Sequence, residues 1–293
     1  MNKVGIYYAY WTEDWDADFV PYAHKAKSIG FDVLEVNAGT IAAMNRSQRA
    51  TLKAAAVDAG ISLSCCIGLA PDADLASEDS SIRRNGTRLL GDIADAMADC
   101  GIDRLGGIIY SCWPAKLDGR GVSKAQALEW SIKSMREAIK KAEDLNLTFN
   151  VEVVNRFEQF IMNTAQEGVD YIASVGSPNL KILLDTFHMN IEENSIPDAI
   201  ETAGPYLGHI HLGENNRRPP GTGLLPWNDI FSALGRTNFD GWLVMEPFLH
   251  PGGEVGRDIS VFREIMPGAD ADTEARKACS FVKQKLFASQ NGA

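Results

Sequence analysis

The feature that most constrains this chain is an alternation of short apolar strand-like runs with longer helical stretches, repeated eight times. The strand candidates are Val4–Tyr10, Asp32–Asn37, Ser62–Leu69, Arg104–Ser111, Phe149–Asn155, Lys181–Phe187, Gly208–Gly213 and Gly241–Phe248. Strands that each feed a helix must run parallel, because a crossover returns the chain to the same edge of the sheet. The helical stretches carry their own punctuation. Asn45 with Gln48, Ser123 with Gln126 and Thr164 with Glu167 have the spacing of a capping box. Gly30, Gly60 and Gly101 stand just before strands, where a glycine closes a helix in the left-handed conformation.

Eight such units in 293 residues predict an α/β fold of the (β/α)8 TIM-barrel type as a single domain over 1–293; barrels of this kind typically run to ~250 residues. An open doubly wound sheet is the alternative. The first strand–helix turn, Tyr10-Trp11-Thr12-Glu13, lacks its glycine-rich phosphate fingerprint, which favours the barrel. The last helix is expected over about 272–287, packed on the outside, with Ala288–Ala293 fraying. Two loops read as long, Glu214–Leu225 and Leu249–Gly256, both on the C-terminal face where active sites of this fold are built. Gly221-Thr222-Gly223 within the first reads as a mobile loop.

A net charge of −11, with no basic block, argues against nucleic acid or an anionic membrane surface as a partner. No run of apolar residues is long enough for a membrane helix, and the amino terminus reads as a strand and not a signal peptide. Five cysteines without a CxxC pair support neither a disulfide framework nor a zinc knuckle; a reduced, cytoplasmic protein is expected.

The chemistry concentrates at the ends of the last four strands: Glu152 on the fifth, Asp185 on the sixth, His211 on the seventh and Glu246 on the eighth, each among apolar neighbours. Side chains alternate faces along a strand, so each can point inward while its neighbours pack outward. Singly, each has a plain structural reading: Asp185 as a helix cap, His211 as a satisfied core histidine. Together, three carboxylates and an imidazole at one level of a barrel repel one another unless a cation joins them. An oxygen-rich set with one nitrogen suits Mn2+, Mg2+ or Co2+, with zinc as the alternative.

The segments Glu152-Val-Val-Asn-Arg-Phe-Glu158, Leu184-Asp-Thr-Phe-His-Met-Asn-Ile-Glu-Glu193, Gly208-His-Ile-His-Leu-Gly-Glu-Asn-Asn-Arg217 and Met245-Glu-Pro-Phe248 resemble the ketose 3-epimerases, which include the D-tagatose, D-psicose and L-ribulose 3-epimerases. The resemblance runs from Gly5-Ile-Tyr-Tyr-Ala-Tyr-Trp11 to the final helix. It implies one divalent metal, Mn2+ first and Co2+ or Mg2+ next, on Glu152, Asp185, His211 and Glu246, with Glu152 and Glu246 also the catalytic pair. It implies that Glu158, His188 and Arg217 hold the sugar, and less tightly that Trp113, Phe248, Tyr7 and Trp15 form an apolar pocket. Cys66, by strand alternation, faces the same pocket, whereas Glu35 reads as a hydrogen-bonded structural carboxylate and Arg218 as a solvated loop residue.

The implied reaction is C3 epimerisation of an unphosphorylated ketose through a cis-enediolate, in a homodimer or homotetramer. Three rivals are weighed against it. An aldose–ketose isomerase would use the same metal and glutamates. A metal-dependent endonuclease would need more than the five histidines present and a basic groove. A non-catalytic sugar-binding barrel would be expected to have lost one of these residues.

Overall fold

The computed structural model describes residues 2–119 and 121–290. Eight parallel strands close on themselves in sequence order: β1 (Val4–Tyr7), β2 (Val33–Asn37), β3 (Ser62–Cys66), β4 (Arg104–Gly107), β5 (Thr148–Val153), β6 (Leu180–Asp185), β7 (Leu207–Leu212) and β8 (Trp242–Met245). The seam pairs β1 with β8, Gly5 facing Val244 and Ile6 facing Met245. Helices follow each strand and form the outer ring, so each strand is buried on both faces and reads as an almost continuous apolar run.

The sequence signals act where expected. Reciprocal capping boxes form at Asn45–Gln48, Ser123–Gln126 and Thr164–Glu167. Gly30, Gly60 and Gly101 end their helices with φ of 119°, 65° and 74°, values that L side chains rarely adopt. Most of the strands end before their apolar runs do. Tyr8–Tyr10 leaves β1 as a 3-10 turn, and β8 stops at Met245, just before Glu246-Pro247. β6 stops at Asp185, which caps a short helix, Thr186–Glu192, that carries His188. The apolar residues beyond each strand end are buried in the barrel mouth, and so extend the hydrophobic pattern past the ladder.

The final helix spans Ala271–Gln290, longer at both ends than expected. Of the segment expected to fray, Ala288–Gln290 is helical, and 291–293 lie outside the described residues. Among the described residues, no helix is long and apolar enough to cross a membrane.

Candidate active site

The C-terminal mouth of the barrel holds a cavity of about 460 Å3. Its floor is polar and comes from the second half of the chain: Glu152, Glu158, His188, Arg217 and Glu246. Its walls come mostly from the first half. Tyr7, Trp15, Cys66, Trp113 and Phe248 line it, and beside them stand mainly Asn37, Ile67, Gly68, Ile108, Pro114 and Ile259, to which the sequence assigns no role. Asn37 is the last residue of β2 and the others lie beyond strand ends, in segments whose course depends on tertiary packing, so periodicity does not reveal them.

Register explains the convergence. Asp185 on β6 is the direct partner of His211 on β7, and Glu246 continues the β7–β8 ladder by donating its N–H to the Leu212 carbonyl. Glu152 points inward from β5, opposite to Val151 and Val153. One donor atom from each of Glu152, Asp185, His211 and Glu246 lies within 4.8 Å of the others, and all four residues are buried. Nδ1 of His211 faces this cluster, 3.4 Å from Glu152 Oε1 and 3.5 Å from Glu246 Oε1, and is a buried nitrogen without a hydrogen bond. A buried orphan nitrogen aimed at three carboxylates is the donor set a hard or borderline divalent cation requires.

The electrostatics carry the same strain. Burial pushes the Glu246 carboxyl up to about 8, with Glu152 and Asp185 repelling its charge and His211 and Arg217 only partly offsetting this. A cation between these groups would hold the three carboxylates ionised. Asp185 caps the short helix, its Oδ1 accepting from the Phe187 N–H at 2.8 Å, while its Oδ2 faces the cluster and accepts from Arg217 Nη1 at 3.0 Å.

Arg217 is buried with a φ of 63°, and its guanidinium lies 3.8 Å from the Phe187 ring centroid and 3.3 Å from Glu246 Oε2. Glu214, which sequence reasoning quoted without a role, holds the loop that presents it. This buried carboxylate accepts from the N–H groups of Gly221 (2.7 Å), Thr222 (3.1 Å) and Leu225 (3.3 Å) and from Trp227 Nε1 (2.7 Å). Gly223 lies so close that a Cβ there would sit 2.4 Å from Glu214 Oε2. The Gly221-Thr222-Gly223 loop, expected to be mobile, is therefore anchored on a buried charge. Arg218 is likewise not a solvated loop residue: its guanidinium donates to the Ile265 carbonyl, tying this loop to the segment after β8.

Glu158 and His188 are joined through a residue that sequence reasoning missed. Asn155 donates from its backbone N–H (3.3 Å) and its Nδ2 (2.7 Å) to His188 Nδ1, and the same Nδ2 donates to Glu158 Oε1 at 2.9 Å. A backbone N–H can only donate, so His188 Nδ1 is the acceptor and the proton of the neutral ring is on Nε2. Glu158 also accepts from Trp113 Nε1 at 2.9 Å. Burial opposes ionisation of Glu158, but His188, Arg217 and these hydrogen bonds outweigh it and hold the carboxyl below its ordinary value. Asp74 supports the same wall, accepting from Ser111 Oγ and the Cys112 N–H just before Trp113.

Residues 23–282 match the family model of the xylose isomerase-like TIM barrel. The D-psicose 3-epimerase of Ruminiclostridium cellulolyticum is 44% identical over 287 residues, covering 97% of this chain and 98% of that protein. A crystal structure of a D-psicose 3-epimerase in the presence of D-fructose superposes with a TM-score of 0.94 at 42% identity, over 97% of this chain and 99% of the other. A structure of the enzyme from Clostridium cellulolyticum H10 with D-tagatose also gives 0.94, at 44% identity and the same coverage. This chain, a parallel barrel with carboxylates and an imidazole converging at its mouth, belongs to the ketose 3-epimerase family of isomerases.

Proposed function

We propose that this chain epimerises unphosphorylated ketoses at C3, with Glu152 and Glu246 as the acid–base pair and with a divalent cation held by Glu152, Asp185, His211 and Glu246. Mn2+ is the preferred ion in this reading, with Co2+ or Mg2+ as substitutes. The observation that carries it is the convergence of four buried donors within 4.8 Å, one of them an orphan nitrogen, at the floor of a sugar-sized cavity. The sugars named with two structural relatives, D-fructose and D-tagatose, support a free ketohexose as substrate.

When bound, the cation would supply Lewis-acid polarisation of the ketose carbonyl and positive charge to offset the enediolate. The chain's own residues do the rest. Inversion at C3 needs one group to take a proton from one face and another to return a proton to the other. Glu152 and Glu246 reach the cavity from the non-adjacent strands β5 and β8 and so can flank the sugar. Each such group typically contributes about 10²–10⁴ in rate. They exchange roles when the reaction runs backwards.

His188, with its Nε2–H fixed by Asn155, and Arg217, with its loop anchored by Glu214, donate to substrate hydroxyls and developing negative charge. Glu158 acts on His188 through Asn155 and holds Trp113 in the wall. Tyr7, Trp15, Trp113, Phe248 and Cys66 exclude water and shape the pocket. The protein works in this reading as a cytoplasmic homodimer or homotetramer. Five buried cysteines without a disulfide and the exposed Phe157 and Phe262 are consistent with that.

The test is incubation with D-fructose, D-tagatose and L-ribulose in Mn2+ and deuterated water. C3 epimers with deuterium at C3 are expected. Aldoses as the only new products, labelled at C2, would overturn epimerisation in favour of isomerisation.

A further inference from the structure

On the side of His211 away from the four-residue cluster, with its three carboxylates, sits a fourth. Glu35 is fully buried on β2, in register with Tyr7 on β1 and Ser64 on β3. One of its oxygens lies 2.7 Å from Nε2 of His211. The other accepts from Ser64 Oγ at 2.8 Å and stands 3.3 Å from Nε2 of His209. Among the described residues, its ion-pair partners are these two imidazoles, with no lysine or arginine.

A carboxylate is costly to bury, and an apolar side chain would fill the same space without that penalty. Its position relative to His211 accounts for its presence. An ionised carboxylate only accepts, so the proton of the His211 ring shared with it is on Nε2. The nitrogen left to face Glu152 and Glu246 is Nδ1, at 3.4 and 3.5 Å. A histidine ligates through a bare nitrogen, and the hydrogen bond made by the other nitrogen decides which one is bare and how the ring is turned.

We infer that Glu35 is a positioning residue for the proposed metal centre: it holds His211 in the Nε2–H tautomer and in the orientation that presents Nδ1 to Glu152, Asp185 and Glu246, and Ser64 in turn holds Glu35. The inference rests on the metal reading above and deepens it. It also explains why a carboxylate outside the four-residue set stands inside the barrel, facing the imidazole of that set.

The test is a calorimetric titration of the metal-stripped protein with Mn2+, comparing wild type, Glu35→Gln and Ser64→Ala, with 15N spectra of the imidazole rings. Glu35→Gln keeps the shape and removes the charge. It is expected to weaken Mn2+ binding by about 10–100-fold, the range for partners that orient metal-binding histidines. Its His211 ring is expected to lose its single tautomer, and excess Mn2+ to restore turnover. Ser64→Ala is expected to move affinity the same way by less. Wild-type affinity and an unchanged His211 tautomer in Glu35→Gln would overturn the inference while leaving the metal reading standing. If Glu35→Gln does not fold, Ser64→Ala decides, and wild-type affinity there overturns it. A wild-type protein that binds neither Mn2+, Co2+ nor Mg2+ defeats the metal reading itself.

Discussion

The two halves of the barrel contribute different things to one cavity. Strands β1–β4 and their loops bring shape: the rings of Tyr7, Trp15 and Trp113, the thiol of Cys66 and the side chains of Ile67 and Ile108. Strands β5–β8 bring charge and protons: Glu152, Glu158, Asp185, His188, His211, Arg217 and Glu246. Glu35 on β2 crosses this division, and it does so by reaching His211 and not the cavity. On the proposed reading, the difference teaches that reactivity and fit are carried by separable sets of residues, so changes in one half should alter turnover and changes in the other should alter preference.

The most severe break of that division would be removal of the proposed cation. Exhaustive chelation should abolish turnover, and added Mn2+ should restore it, read as product formation beside metal analysis; full activity in metal-free protein would contradict the proposal. Next in size, Glu152→Gln and Glu246→Gln should each lower kcat by about 10²–10⁴ while the cavity keeps its form. Wild-type kcat in both would remove the acid–base assignment.

A third effect follows from the Glu246 carboxyl, pushed up to about 8 by burial in the metal-free protein. Below that pH the group is protonated, and an incoming cation must displace the proton. Mn2+ affinity should therefore rise with pH by up to about tenfold per unit and level off above it. Titrations at pH 6, 7, 8 and 9 check this, and a flat profile would mean that Glu246 is already ionised. The smallest effect belongs to the other half of the barrel. Cys66→Ala should shift the kcat/KM ratio between D-fructose and D-tagatose by about 1 kcal/mol or somewhat more, as pocket-shape changes do. A loss of kcat as large as that of the glutamate variants would blur the distinction between halves.

Much of this was legible in the chain. Strand count, parallel order and helix punctuation are local or periodic, and residues such as Asn45, Ser123 and Gly60 act through neighbours three or four positions away. The four-residue cluster was legible because each member interrupts an apolar strand at its end. What was not legible depends on contacts across the fold. Asn155 is an ordinary strand-end amide until His188 folds back against it, 33 residues later. Glu214 looks like a loop carboxylate until Gly221, Leu225 and Trp227 close around it. Glu35 reads only as a hydrogen-bonded structural carboxylate until His211, 176 residues away, is placed beside it. The strand ends were overestimated for a related reason: burial continues past the hydrogen-bonded ladder, and hydrophobicity reports burial.

The seam between β1 and β8 has a consequence for how the protein comes into being. Asn2 donates to the carbonyls of Phe239 and Gly241, Trp15 Nε1 to Asp258, and Lys283 binds Asp32. The first and last units of the chain thus complete each other, and Trp15 and Phe248, ring centroids 6.5 Å apart, meet across that join. A ribosome emitting this chain from its amino end produces the apolar walls first and Glu246 near the last. Until the eighth strand docks beside the first, the nascent chain has an open sheet and an unfinished pocket. Catalytic competence should therefore appear in a single late event, with no partly active precursor to expose a reactive sugar intermediate to water.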